Sequence, residues 1–257
     1  MGAPGDSPAP DRGPSEQTRA PAILRLAVAT SKDHRTHERA PSSIRPYRPG
    51  DRGRVREICF RTGFLGDPVD WLWRDQPSFA DLFSGYYTDA EPESALVAEV
   101  DGEVSGYLLG CVETRRVWDP SRVLAGHAVR RLVFLRPGTA GVFWRSVLDA
   151  ASAALGRREA MEPMFLDERW PAHLHIDLLP VARGSGVGRA LVTRWLDRLR
   201  DLRVPGCHLE TFAENAGAVR FFSAMGFAPH GEAVAAPGFR ARDGSRLHVL
   251  RMVRSLD

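Results

Sequence analysis

Lysine is nearly missing from this chain. Of its 35 basic residues in 257, only Lys32 is a lysine, so cationic chemistry falls to arginine. We read that bias as the mark of a high-GC, bacterial genome. Cysteine is scarce as well. Cys59, Cys111 and Cys207 stand far apart, odd in number and without a CxxC pair, which excludes a disulfide framework or a zinc ribbon. They read as buried free thiols of a reducing compartment. No apolar run approaches the ~20 residues of a membrane span, and Met1 to Gly13 lacks the apolar core of a signal peptide. The expected location is the cytoplasm, with no membrane partner. A net charge of +3 is too small to mark a nucleic-acid surface, while 43% hydrophobic and 26% charged residues describe an ordinary globule.

Residues 1–42 are rich in Pro, Gly, Ser, Ala and Arg, with Ile23 to Val28 as their only apolar patch. That composition predicts a disordered or loosely attached tail, in which His34 and His37 are solvated polar residues. One domain, 43–257, follows. It opens with a short strand ending at Pro46 and a helix from Asp51, read as its cap, to about Thr62. An aromatic helical stretch comes next, carrying Trp71, Trp73, Phe79, Leu82, Phe83, Tyr86 and Tyr87. Residues 95–100 and 104–113 form two strands joined at Asp101-Gly102. Between 115 and 171, helical patterns at 121–135 and 141–155 flank Arg136-Pro137-Gly138, too long a connection to be a plain loop. Further strands are expected at 173–179, 207–213, 228–236 and 246–253.

The densest signal lies in His173 to Ala190, HLHIDLLPVARGSGVGRA. An apolar run closes at Pro180. The turn Arg183-Gly184-Ser185-Gly186-Val187-Gly188 follows, and Val187, Leu191, Val192, Trp195, Leu196 and Leu199 then fall on one helical stripe. Alternate glycines let the backbone approach a bulky ligand. Unpaired N–H groups at the helix start favour an anion, and Arg183 and Arg189 add positive charge. A Walker loop needs Gly-Lys-Ser/Thr, but here Gly188 is followed by Arg189-Ala190. A dinucleotide fingerprint needs its third glycine where Arg189 stands.

The turn resembles the R/Q-x-x-G-x-G/A loop of the GNAT acetyltransferases. Downstream, Asn215, Ala218, Phe221, Phe222, Gly226 and Phe227 resemble that family's N-x-x-A-x-x-F-Y-x-x-x-G-F helix. The resemblance spans roughly 44–253. It implies an α/β (α+β) GNAT fold, a mixed, mostly antiparallel sheet of about seven strands flanked by helices, with a helical insertion between the third and fourth strands. It also implies acetyl-CoA as cosubstrate, held by Leu178, Leu179, Val181, Arg183, Gly184, Ser185, Gly186, Val187, Gly188, Arg189, Asn215 and Phe222. Asn215 is the pantetheine contact of the family, a role compatible with capping a helix. The insertion and the aromatic stretch then shape the acceptor side, although core packing explains the aromatics equally well. Residues 44–51, 57–59, Asp67-Pro68, 106–110 and Leu174-His175 further resemble the acetyltransferase-like C-terminal domain of eukaryotic O-GlcNAcase, which is regarded as a pseudo-acetyltransferase.

Strand alternation puts His173, His175 and Asp177 on one face. Histidine titrates near neutrality, and a half-buried carboxylate can be raised towards it. Asp177 and His175, then His173, are therefore the candidates for base or proton relay; a structural hydrogen-bond network is the competing explanation. His173-x-His175-x-Asp177 also resembles the start of the metallo-β-lactamase ligand set HxHxDH. Leu178 replaces its last histidine and no further ligands are evident, so no metal is expected. Phe222 occupies the position where the family commonly carries its acid tyrosine, leaving Tyr107 as a substitute. The resulting expectation is a monomeric or homodimeric N-acetyltransferase, transferring acetyl to an amine of a small molecule or protein by direct attack. The alternative is a CoA-binding pseudo-acetyltransferase or scaffold without turnover.

Overall fold

A computed structural model describes residues 1–2, 42–156 and 164–256. Residues 3–41 of the expected tail, with Ile23 to Val28, His34 and His37, lie outside the described residues, and Ser42, its last residue, already belongs to the first strand. Contacts divide the chain into Met1–Glu38 and Arg39–Asp257, and every element below belongs to the second unit.

Strand β1 (Ser42–Pro46) leads into helix α1 (Arg52–Thr62). Helix α2 (Gln76–Ala80) continues through a wider turn, Asp81–Gly85, into α3 (Tyr86–Asp89). Strands β2 (Ala95–Val100) and β3 (Glu103–Cys111) form a hairpin whose turn residues Asp101 and Gly102 both have positive φ, the geometry that suits a two-residue connection. Helices α4 (Pro120–Arg131) and α5 (Ala140–Ala154) form the insertion. Then come β4 (Ala172–Leu178), α6 (Val187–Asp201), β5 (Gly206–Phe212), α7 (Ala216–Ala224), β6 (Ala228–Pro229), β7 (Val234–Arg240) and β8 (Arg246–Ser255). The sheet has eight strands in the order β1-β2-β3-β4-β5-β8-β6, with β7 also on β8. Only β4 and β5 run parallel.

Two details differ from the sequence expectation. The stretch 228–236 is not one strand: it makes a two-residue strand and, after Gly231 at φ +74, a separate strand from Val234. Asp51 sits at the start of α1, but its side chain does not cap that helix. Its carboxylate accepts from Arg45 at 2.7 and 2.9 Å and from the Arg48 N–H at 2.8 Å, because a charged guanidinium is a stronger partner than a neutral amide.

The sheet separates two apolar layers. One collects α1, the aromatic stretch and the odd-numbered side chains of β3, including Tyr107 and Leu109. The other holds α6 and α7, and the stripe Val187, Leu191, Val192, Trp195, Leu196 and Leu199 is buried there as its 3.6-residue spacing requires. The insertion is fastened by carboxylates. Asp75, 1% exposed, accepts from Arg131 Nε and Nη2 and from Arg136 Nη1 at 2.8–3.1 Å. Burial alone raises its carboxyl, but Arg131 and Ser78 bring it down to about 2. Asp149 on α5 accepts from the Gly238 N–H (3.0 Å), Arg240 (2.7 Å) and Arg246 (2.9 Å), tying that helix to β7 and β8.

Asp75→Ala strands two guanidinium groups built around a buried charge, and we expect a loss of about 3–5 kcal/mol. Arg136→Ala, removing a half-exposed member, should cost below about 1 kcal/mol. Thermal melting with amide exchange across Pro120–Arg131 measures both; equal losses would show that Asp75 is not the anchor.

Candidate functional site

Parallel β4 and β5 stay together for only two positions, Ala172↔Cys207 and His173↔His208, and then diverge. On its other edge β4 keeps six partners on β3. The Leu179 N–H donates to Ser105 O at 2.9 Å, so the odd-numbered residues of β4 exchange their hydrogen bonds with β3. The N–H groups of Ile176 and Leu178 therefore point the other way, into the gap that β5 has left, without a strand partner. The Leu178 carbonyl on that side is met by Arg183 Nε at 2.9 Å.

The glycine turn closes one end of the gap. Gly184 and Gly186 have φ of +71° and +90°, and a Cβ built on either meets nothing within 4 Å. They are required by backbone conformation, and the side they leave bare faces open space. Gly188 does a different job: its Cβ would come within 3.2 Å of Leu178 and 3.4 Å of Phe221, so it lets α6 press against β4. The first bond of α6 runs from Ala190 N–H to Gly186 O (3.1 Å), which leaves the N–H groups of Val187, Gly188 and Arg189 ahead of it at the positive end of the helix. Among the described residues the Val187 N–H has only a 3.5 Å approach to Ser185 Oγ. The Ser185 hydroxyl donates to Ala182 O at 2.8 Å. Arg189 is exposed and has no partner among the described residues. Arg183, by contrast, gives its guanidinium to Leu178 O and to Gly66 O, so it clasps the 63–70 loop to the turn. Val181 is exposed beside the turn, whereas Leu179 is buried and both its backbone groups are engaged, the carbonyl accepting from Ala182.

A cavity of about 430 Å³ fills the gap, walled among others by Thr62, Phe79, Tyr107, Asp177, Asn215 and Phe222. Asn215 caps α7, its Oδ1 accepting from Ala218 N–H at 3.0 Å, and also faces the cavity. Phe222 is buried edge-on to Phe221 and Phe227 and supplies only apolar wall.

His173, His175 and Asp177 share one face of β4 but have three different surroundings. His173 is held at both nitrogens, Nε2 by Tyr87 Oη and Nδ1 by Thr114 Oγ1, each at 2.7 Å. Thr114 also donates to Pro171 O at 2.7 Å. With its single proton spent there, it accepts from His173 Nδ1–H, and Tyr87 donates to Nε2. Burial holds this ring neutral. His175 has no hydrogen-bond partner among the described residues; it lies edge-on to Tyr87 and keeps some surface open to the cavity. Burial pushes it down to about 4. Asp177 accepts the Tyr107 hydroxyl. Burial raises its carboxyl, against the lowering effect of Tyr107 and Thr62. The Tyr107 proton is thus directed at Asp177. Two further groups, absent from the sequence reading, complete the site. His208 donates Nδ1–H to Trp170 O at 2.8 Å, and burial pushes it down to about 4. Glu210 stands opposite His175 across the gap by continuation of the His173↔His208 register. The alternation of His208, Glu210 and Phe212 on β5 would have revealed both. Among the described residues no group of three or more potential metal ligands occurs, and no helix is long and apolar enough to cross a membrane.

A sheet that opens between two parallel strands beside a glycine-turn helix start is the arrangement of the GNAT fold. The sequence model of the acetyltransferase (GNAT) family matches residues 154–227. The crystal structure of SsHAT is similar over 84% of this chain and 98% of its own, with a TM-score of 0.54 and 28% identity. The polyamine N-acetyltransferase of Drosophila melanogaster is similar in fold over 84% and 100%, with a TM-score of 0.51 and 14% identity. Mycothiol acetyltransferase of Nocardiopsis dassonvillei is 45% identical over 49 residues, 19% of this chain; the match spans 15% of that enzyme's length. The chain has the GNAT fold, and the stretch that matches the family model runs from the end of α5 to just past the end of α7.

The neutral histidines set an acid limit on stability. His208 is depressed from 6.5 in the unfolded chain to about 4, so its contribution is complete above about pH 6.5 and disappears as pH falls towards 4. At 1.36 kcal/mol per unit this is about 3 kcal/mol. Asp177, raised on folding, works in the opposite sense and loses its contribution as pH rises. Melting temperature should fall from pH 6.5 to 4, and His208→Asn, whose amide can replace Nδ1–H, should flatten that fall. An unchanged slope would exclude His208 as its source.

Proposed function

We propose that this chain is an N-acetyltransferase that uses acetyl-CoA and acetylates an amine by direct attack. The observation that carries this reading is the gap between β4 and β5, into which the N–H groups of Ile176 and Leu178 point without a strand partner, with the half-buried Asp177 carboxylate lining its cavity and the glycine turn following β4 at the α6 N-terminus. A structure of yncA from Salmonella typhimurium, similar in fold over 84% of this chain with a TM-score of 0.50 and 17% identity, was solved with acetyl-CoA as its cofactor. The residues here fit the same cosubstrate. The N–H groups of residues 187–189 and the Arg189 guanidinium would hold a pyrophosphate, Asn215 and Phe222 would border the pantetheine arm, and the Ile176 or Leu178 N–H would meet the acetyl oxygen.

Bound acetyl-CoA supplies an activated acetyl thioester. In the net reaction an N–C bond forms, the C–S bond breaks, and the amine gives up a proton as the thiol departs. Asp177, raised by burial and oriented by Tyr107, takes the proton of the amine, and His175 lines the same cavity beside it. His173, bonded at both nitrogens, positions His175 and Tyr87 and does not carry the proton. Phe222 supplies no acid. That feature favours the second reading, binding without turnover.

Acetyl-CoA at ~100 times its Kd should stabilise the fold by about 2.7 kcal/mol. Gly186→Asp, which sets a carboxylate against a pyrophosphate, should abolish that shift. Arg189→Glu, on ordinary helical backbone, should weaken it without lowering the melting temperature of the ligand-free protein. Unchanged shifts in both would remove the cradle assignment. Asp177→Asn should retain acetyl-CoA affinity and lose about 10²–10⁴-fold in turnover, together with the acidic limb of the pH–rate profile. A fall in melting temperature with turnover per folded molecule unchanged would make Asp177 a structural partner.

A further inference from the structure

The GNAT reading leaves the acceptor open, and the interior of the protein narrows it. A second cavity of about 260 Å³ lies beyond the first, towards the insertion. The two share Phe83, Leu174, His175, Leu209 and Glu210, so they abut where β4 and β5 separate. One is walled by Ile176, Asp177, Asn215 and Phe222; the other includes Trp118, which is 43% exposed.

We propose, resting on the acetyltransferase reading, that this second cavity receives the acceptor and that the acceptor is a small primary arylalkylamine, its ammonium paired with Glu210 and its ring among Phe83, Tyr86, Tyr87, Trp118 and Phe165.

Charge selects the amine. The chain carries 35 basic residues, yet no arginine or lysine lines either cavity among the described residues; the charged groups there are Asp81, Asp177 and Glu210. The histidines do not offset them. His173 is held neutral at both nitrogens, and burial keeps His175 and His208 uncharged above about pH 4. Asp81 is already matched by Arg56 and by His127 at 3.0 Å. Asp177 has Tyr107. Glu210 is the carboxylate at the junction itself, one-third exposed, with Arg251 at 3.0 Å. An ammonium gains from this field, whereas a carboxylate or phosphate on the acceptor is desolvated beside like charge.

Shape and surface select the ring. Tyr86 lies edge-on to both Tyr87 (5.5 Å) and Trp118 (5.7 Å), and Tyr87 edge-on to His175 (5.2 Å), so the walls are flat and pre-set. Such faces favour an aromatic body and a cation approaching it. The volume lies just below the range of ~300–1,000 Å³ for small-ligand pockets, which suits one ring and a short chain. Arg251 meets Glu210 at Oε1 alone, from Nη2 at 3.0 Å and Nε at 3.3 Å, so the second carboxylate oxygen at the junction is left for one ammonium; a polyamine needs a further carboxylate.

The test uses the full-length protein with acetyl-CoA, reading CoA thiol release and acetylated product by mass spectrometry for phenethylamine, tryptamine, phenylalanine and spermidine. Phenethylamine or tryptamine should exceed both phenylalanine and spermidine in kcat/KM by at least about 10-fold. Glu210→Gln should raise KM for the aryl amines at least about 10-fold while leaving acetyl-CoA binding unchanged. Trp118→Ala should raise KM for tryptamine with kcat retained. A preference for spermidine or phenylalanine, or a Glu210→Gln variant with unaltered KM, would overturn the proposal. Calorimetric binding of phenethylamine, lost in Glu210→Gln, supports the assignment of the cavity independently of turnover. Acetyl-CoA binding and phenethylamine binding without any acetylated product would overturn the acetyltransferase reading alone, whereas acetylation of another amine without phenethylamine binding would overturn this one alone.

Discussion

The separation of β4 from β5 is the constraint on which the site depends. β5 is paired with β8 along all seven of its residues, and β4 with β3 along six. Each strand is held by its outer neighbour, so the gap cannot close by zipping the two together. An unpaired donor in such a place costs about 1–3 kcal/mol unless something meets it. The donors of Ile176 and Leu178 are thus an unmet demand built into the sheet, and the glycine turn at the head of α6 places a second set of unpaired N–H groups beside it. Both sets ask for acceptor oxygens.

Polar groups around that gap are sorted by what partners them. His173 is saturated and rigid, His175 is unpartnered and faces the cavity, and Asp177 is buried with a tyrosine proton directed at it. A row of three similar side chains on one strand thereby meets three different surroundings. The low polarity that keeps the histidines uncharged also raises the carboxyl, since burial disfavours charge of either sign.

The insertion is part of the same device. Asp75 and Asp81 fasten α4 to the aromatic stretch, and Asp149 fastens α5 to β7. Among the described residues no arginine lines either cavity, and the interior of the gap is acidic and aromatic.

Much of this was legible in the chain itself. The 3.6-residue stripe of α6, the alternation along β4, the Asp101-Gly102 turn and the glycine loop are local patterns, and each depends only on how near neighbours share a face or a dihedral. The Asn215 cap and the two insertion helices were likewise visible, within a few residues of their ends. Tertiary structure decided the rest. That Gly188 serves packing while Gly184 and Gly186 bare the turn depends on Leu178 and Phe221 lying above one and nothing above the others. That Arg183 clasps Gly66, and that Asp51 answers Arg45 in place of its own helix, depends on which segments come together. Glu210 and His208 face the site because β5 lies alongside β4 for two residues and then leaves it, and no periodicity in one strand records where its neighbour departs. Local pattern determines which side chains share a face; only the packing of distant segments determines what that face meets.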